Sequence, residues 1–301
     1  MGSTRSGLAL EPAPRQKAPL ALRPPRANDP MSQSPLPVIR LVCVDVDGTL
    51  VGASGTVPPS IWQRVDDLRA RGVHFCLCSG RPAFGVTRGY AERLDPAGWH
   101  VFQNGASVVH LPSGESRSRP LPELHVAALI ARARTHGRLL ELYGDTEYTV
   151  EQDHARTRAH AALLGLPFVP RPFEARTEPV VRAQWLLTPQ TLDPVLAEPH
   201  FDLEVVPSTS PVMPDTIFVN LTAQGVNKGT GIEIVAQALQ IPLAEVMMIG
   251  DAGNDLPALA RVGHPVAMGN GSPAVKAAAR TVVGGVDDLG LLEALALVTP
   301  P

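Results

Sequence analysis

Two carboxylates close an apolar run in Leu41-Val42-Cys43-Val44-Asp45-Val46-Asp47-Gly48-Thr49-Leu50, and this stretch constrains the fold more than any other. Leu41 to Val44 is apolar without alternation, the composition of a strand buried on both faces of a parallel sheet. Its end presents Asp45 and Asp47 to one region. Two like charges about 4 Å apart repel by roughly 4 kcal/mol at an effective dielectric near 20. A shared proton, a basic side chain or a metal ion has to offset that. A plain polar turn is the alternative, since Asp-Gly is a turn dipeptide. A calcium loop is excluded by spacing: its obligatory glycine and glutamate positions, counted from Asp45, hold Leu50 and Thr56.

The chain of 301 residues is 44% hydrophobic and 18% charged, which suits one or two globular domains with an ample core. A net charge of −3 argues against a general nucleic-acid binder. Cys43, Cys76 and Cys78 sit in apolar, strand-like runs without zinc-ligand spacing, so they read as core residues in a reducing compartment. No apolar run approaches the ~18 residues of a membrane span. Gly7-Leu8-Ala9-Leu10 is too short for a signal-peptide core. A cytoplasmic location without membrane or nucleic-acid partners is the expectation.

Residues 1–36 are rich in Pro, Arg, Ser and Ala without periodicity and are expected to be disordered, with Met31 as an alternative start. From Val38 strands and helices alternate. A helix is expected over 60–71, a strand over 73–78, a helix over 83–94, and a third strand from Val101 that returns through Pro112-Ser113-Gly114. This order predicts a parallel sheet with right-handed crossovers. Residues 113–206 read as a mixed sheet with helices, expected to form a separate α+β domain between core segments 37–112 and 207–301. The α/β alternation is expected to resume near Asp215, with Ile217-Phe218-Val219 as a strand and Val246 to Ile249 as another, buried one.

Four features fall at strand ends or helix starts. They are Asp45 with Asp47; Ser79, on its own an N-cap; Lys228, set against the macrodipole of its helix unless an anion is near; and Asp251 with Asn254 and Asp255. In an open parallel sheet the C-terminal strand ends share one edge, where ligands bind. Carboxylates beside an ammonium, a hydroxyl and free helix amides imply a cation and an anion side by side, a Mg²⁺–phosphate site.

Asp45-Val46-Asp47-Gly48-Thr49-Leu50, Ser79-Gly80-Arg81, Lys228-Gly229 and Gly250-Asp251-Ala252-Gly253-Asn254-Asp255 resemble, in order, the four motifs of the haloacid dehalogenase (HAD) superfamily of phosphohydrolases. Asn104-Gly105-Ala106 and Ala267-Met268-Gly269-Asn270 resemble its Cof-like branch, in which an α+β cap is inserted into a Rossmann-like parallel-sheet core. The resemblance implies Asp45 as nucleophile, forming an aspartyl-phosphate, and Asp47 as general acid and then base. It implies Mg²⁺ held by Asp45, the Asp47 carbonyl, Asp251 and Asp255, with Asn254 supporting. Ser79 and Lys228 would clamp the phosphoryl group, and Gly80, Arg81 and Asn104 would position phosphate or substrate. The substrate would be a small phosphorylated metabolite of the sugar phosphate, pyridoxal phosphate or flavin mononucleotide type. A phosphomutase on the same motifs, and a non-catalytic phosphate-binding module, are the alternatives.

The low apolar content of residues 1–30 generates one expectation. A chain beginning at Met31 should keep its thermal midpoint; a fall of several degrees in a melting curve would show that the extension docks.

Overall fold

An apolar run without alternation needs cover on both faces, and β1 (Leu41–Val44) has it. In the computed structural model, which describes residues 38–200, 202–210 and 212–301, the N-terminal extension lies outside the described residues. β1 lies between β2 (His74–Leu77) and β10 (Val246–Gly250), and β11 (His264–Ala267) and β12 (Thr281–Val282) complete a parallel sheet in the order β12-β11-β10-β1-β2. Alternate residues of one strand enter opposite layers. Val42, Val44, Phe75, Leu77 and Ile249 pack with α1 (Pro59–Ala70), α2 (Val86–Leu94) and α9 (Gly290–Ala296) through Ile61, Leu68, Leu94 and Leu295. Leu41, Cys43, Cys76 and Met248 pack with α6 (Lys228–Ala238), α7 (Leu256–Leu259) and α8 (Pro273–Ala278) through Ile232, Val235, Leu259 and Val275. The three cysteines are buried and free. Val44 is in register with both Leu77 and Ile249, so the C-terminal ends of the three strands come level.

β3 (Trp99–Phe102) and β4 (Ser107–His110) form an antiparallel pair outside the parallel sheet, beside it at an isolated bridge between Cys78 and Val101. The chain turns back at 103–106, earlier than the sequence suggested. Gln103, Asn104 and Gly105 all have positive φ, at 52°, 56° and 97°. Asn104-Gly105 is a turn dipeptide, whereas Gln103 at positive φ carries no such signal. Gly105 is required there, because a Cβ on it would lie 2.1 Å from the Asn227 carbonyl oxygen. The turn therefore abuts the start of α6.

The middle of the chain forms a second sheet. β5 (Leu139–Tyr143), β6 (Tyr148–Val150), β7 (Arg182–Leu187), β8 (Leu203–Ser210) and β9 (Met213–Ala223) take the order β6-β5-β7-β9-β8. It is antiparallel throughout rather than mixed. α3 (Glu123–His136) and α5 (Pro189–Leu196) cover one face, with Val126, Leu129 and Val195 against Leu140, Trp185 and Val219. α4 (Ala155–Leu163) lies on the other face, where Leu163 meets Leu186 and Phe218.

Some expectations need correction. Ile217 to Val219 does not resume the parallel layer; it lies in β9 and pairs with β7 and β8. An apolar run reports burial but not its partner strand. α2 starts at Val86, after Gly85 with φ +62°, and not at Ala83. β12 and α9 were not anticipated. Among the described residues no helix is long and apolar enough to cross a membrane.

Gly105→Ala should strain the backbone and collide with Asn227. It is expected to cost more than about 1 kcal/mol, read as a lower urea midpoint. A wild-type midpoint would mean that α6 and the turn part easily.

Candidate active site

Asp45 follows β1 with its backbone still in the sheet, its N–H donating to the Ile249 carbonyl at 3.1 Å. Its residue is 5% exposed. Lys228 opens α6, and its Nζ lies 2.6 Å from Asp45 Oδ1 and 2.6 Å from Asp255 Oδ1. The lysine is 0% exposed. The negative charge that its place at a helix N-terminus calls for comes from these two carboxylates. The helix entry is closed by a reciprocal pair: Asn227 Oδ1 accepts from Thr230 N at 3.1 Å, and Thr230 Oγ1 accepts from Asn227 N at 3.1 Å.

Asp255 Oδ2 accepts from the N–H groups of Asp251 and Ala252 at 2.9 and 3.0 Å, which folds the loop after β10. Asp251 is held in turn by Thr49, whose hydroxyl donates to Oδ1 at 3.1 Å. Asn270 Nδ2 donates to the Gly48 carbonyl at 2.8 Å and lies 3.4 Å from Asp251 Oδ2. Gly48 has φ +82°, and a Cβ there would stand 2.3 Å from Asp251 Oδ2. Only glycine lets the chain turn this close to the acid.

Carboxylate oxygens of Asp45, Asp251 and Asp255 lie within 4.8 Å of one another. At that spacing each ionised pair repels by about 3–4 kcal/mol at an effective dielectric near 20. One ammonium faces three acids. Burial pushes the Asp45 carboxyl up to about 8, with Lys228 opposing and Asp255 adding. Burial likewise pushes Asp251 up to about 6, with the Thr49 hydrogen bond opposing. Burial pulls Lys228 down, but Asp45 and Asp255 together hold it above its ordinary value. Protons in such a cluster belong to the group rather than to one residue. An all-oxygen donor set with surplus negative charge fits a hard divalent cation such as Mg²⁺ better than zinc.

Asp47 stands apart from this cluster. Its side chain is 61% exposed and paired with Arg81, whose Nε donates to Oδ2 at 2.9 Å and whose Nη2 donates to Oδ1. Ser79 is buried, and its hydroxyl accepts from Arg81 N at 3.0 Å. That is a local turn, not a helix cap, because α2 begins seven residues later at Val86. Gly80 lies between them, its carbonyl accepting from Arg182 Nη1 at 2.9 Å. Asn254 Nδ2 donates to Asn104 Oδ1 at 2.9 Å, joining loops 150 residues apart. All ten residues singled out from the sequence therefore lie on loops along one edge of the parallel sheet or at the start of α6. Thr49, Asn270 and Arg182 join them and were not singled out. The first two stand inside the quoted motifs; Arg182 and Gln184, polar alternates in an apolar strand, were the only signal in β7.

A family model described as haloacid dehalogenase-like hydrolase matches residues 42–295. The chain is 28% identical over 268 residues to a Streptococcus pyogenes serotype M6 protein named "Putative phosphatase", covering 85% of this chain and 97% of that one. It is 25% identical over 245 residues to the 5-amino-6-(5-phospho-D-ribitylamino)uracil phosphatase of Bacillus subtilis, covering 78% and 88%. The crystal structure of a haloacid dehalogenase-like hydrolase from Bacteroides thetaiotaomicron superposes with a TM-score of 0.74 at 25% identity, over 86% of this chain and 98% of that one. With the motifs on neighbouring loops and the family model spanning both halves of the sheet, the chain belongs to the haloacid dehalogenase-like hydrolases, in their Cof-like branch.

Proposed function

We propose that the protein is a Mg²⁺-dependent phosphatase that hydrolyses small phosphorylated metabolites through a phosphoaspartate at Asp45. The observation that carries this reading is the buried Lys228 between Asp45 and Asp255, with Asp251 beside them. Lys228 holds Asp45 Oδ1, which leaves Oδ2 to attack phosphorus. The bond from phosphorus to the ester oxygen breaks, and Asp47 delivers a proton to the departing alcohol. Asp47 then takes a proton from water, the water oxygen attacks phosphorus, and the acyl phosphate bond breaks to restore Asp45.

The side chains of Asp45, Asp251 and Asp255, with the Asp47 carbonyl, would hold Mg²⁺, which neutralises charge so that a carboxylate can approach an anionic phosphate. Ser79 and Lys228 bind the phosphoryl oxygens during transfer, which asks mainly for positioning and charge stabilisation. Arg81 grips Asp47 in this structure. A phosphoryl group is a competing oxyanion for the same guanidinium, so substrate entry frees Asp47 for proton transfer. Asn104, Gly80 and Asn254 shape the loops around the ester. The inserted antiparallel sheet acts as a cap that selects the leaving group. Sugar phosphates, pyridoxal phosphate and flavin mononucleotide are the expected class, and the phosphoribitylamino-uracil named for the Bacillus subtilis relative is of that kind.

Two experiments test the reading. Phosphate release should require Mg²⁺ and be inhibited by Ca²⁺, whose longer bonds and larger ligand number misplace Asp45 relative to phosphorus. Full turnover in excess chelator would remove the metal from the scheme. The aspartates should separate by leaving group. Asp45→Asn should abolish turnover and covalent labelling. Asp47→Asn should lose about 10²–10⁴-fold on alkyl phosphates. On an aryl phosphate, which leaves without a proton, it should release a burst of one phenol per site and then turn over slowly. Equal, burst-free rates on both esters would show that Asp47 is not the shared acid and base.

A further inference from the structure

Arg182 opens β7 in the inserted sheet and is only 4% exposed. A buried guanidinium is costly without a paired anion. Among the described residues Arg182 has no salt bridge to a carboxylate, and its Nε has no hydrogen-bond partner. Glu141, across the sheet, is already engaged by Tyr143, Tyr148, His160 and Gln184. The guanidinium instead lies over the Tyr143 ring, 4.1 Å from its centroid, and Nη1 donates to the Gly80 carbonyl.

Three consecutive carbonyls of the Ser79–Arg81 loop are fixed by hydrogen bonds. The Ser79 carbonyl accepts from Asn104 N at 3.0 Å and the Arg81 carbonyl from Gln103 N at 2.9 Å, both from the β3–β4 turn. The Gly80 carbonyl between them is held by Arg182, from the inserted sheet. A reverse contact lies close by: Gln103 Nε2 donates to the Gly144 carbonyl of the inserted sheet at 2.9 Å.

We propose that Arg182 is a positioning residue that sets the phosphate-binding loop from the inserted sheet, so that phosphate affinity depends on docking of the insertion. This rests on the phosphatase reading, in which Ser79 and Arg81 face the phosphoryl group. Docking and phosphate binding then strengthen each other by the same factor.

The test compares wild type, Arg182→Met and Arg182→Lys in Mg²⁺ buffer. Calorimetric titration with inorganic phosphate reads the loop without turnover, and aryl phosphate hydrolysis supplies kcat and KM. Arg182→Met is expected to bind phosphate about tenfold more weakly, within the ~5–150-fold range of such couplings. Its kcat/KM should fall by a similar factor. Arg182→Lys keeps a donor for Gly80 but not the planar group over Tyr143, and should recover part of the loss. A folded Arg182→Met protein with wild-type phosphate affinity overturns the proposal. If that variant shows no cooperative melting, Arg182→Gln, whose shorter side chain falls short of the Gly80 carbonyl, decides: weaker phosphate at an unchanged midpoint supports the proposal, and wild-type affinity overturns it. A wild-type protein that neither binds phosphate nor cleaves the aryl ester would overturn the phosphatase reading itself, which is a separate result.

Discussion

The ammonium of Lys228 is the contact on which the rest of the site depends. It is enclosed between Asp45 and Asp255, which lie 183 and 27 positions away in the chain. It therefore ties the end of β1, the loop after β10 and the start of α6 into one unit across the whole insertion. Removing the ammonium would leave two buried carboxylates without their cation, a defect of about 3–5 kcal/mol. Replacing the group by apolar side chains is often neutral or stabilising in such settings. The charges are thus hard to explain by stability alone, and their position at the C-terminal edge of a parallel sheet is where ligands bind.

The same edge treats two nearby aspartates differently. Asp45 remains in line with β1 and is buried. Asp47 lies past the first residue of the turn, beside Gly48 with its positive φ, and reaches Arg81 at the surface. One carboxylate is desolvated next to a lysine; the other is exposed and held by a guanidinium that other anions can claim. Pairs of acids in contrasting surroundings take contrasting roles, and here the contrast is set by a two-residue step across a strand end.

Much of this is legible in the sequence itself. β1 and β10 are apolar without alternation because both their faces are covered, and chemistry-bearing residues at their ends stand out against that background. What escaped depended on partners rather than on composition. Ile217 to Val219 carries the same apolar signature as a parallel strand, yet its neighbours are β7 and β8. The turn at Gln103 and Asn104 begins one residue before its Asn-Gly pair, on a glutamine whose left-handed backbone that residue type does not advertise. The contacts of Asn254 with Asn104, Asn270 with Gly48 and Arg182 with Gly80 join segments that only the fold brings together. The sequence left open which anion faces Lys228, because the carboxylates that do so lie on other elements.

The junction between the two sheets has a composition of its own. Its apolar part includes a cluster of Ala106, Val181 and Val226 with Ala223 beside it, and the Phe84 ring stacked on Tyr143 at 6.4 Å between centroids. Polar contacts surround it: Asp145 accepts from Ser107, Ser116 and Ser118 at 2.5–2.6 Å, Gln103 reaches Gly144, and Arg182 reaches Gly80. Its hydrogen bonds are exchanged for bonds to water at a net cost of about 0.5–1.5 kcal/mol each. Polar junctions between units of one chain permit relative motion for this reason. The parallel and antiparallel sheets each have an apolar core of their own. A few hydrogen bonds to loop carbonyls are then enough to make the arrangement of the Ser79–Arg81 loop depend on where the insertion sits.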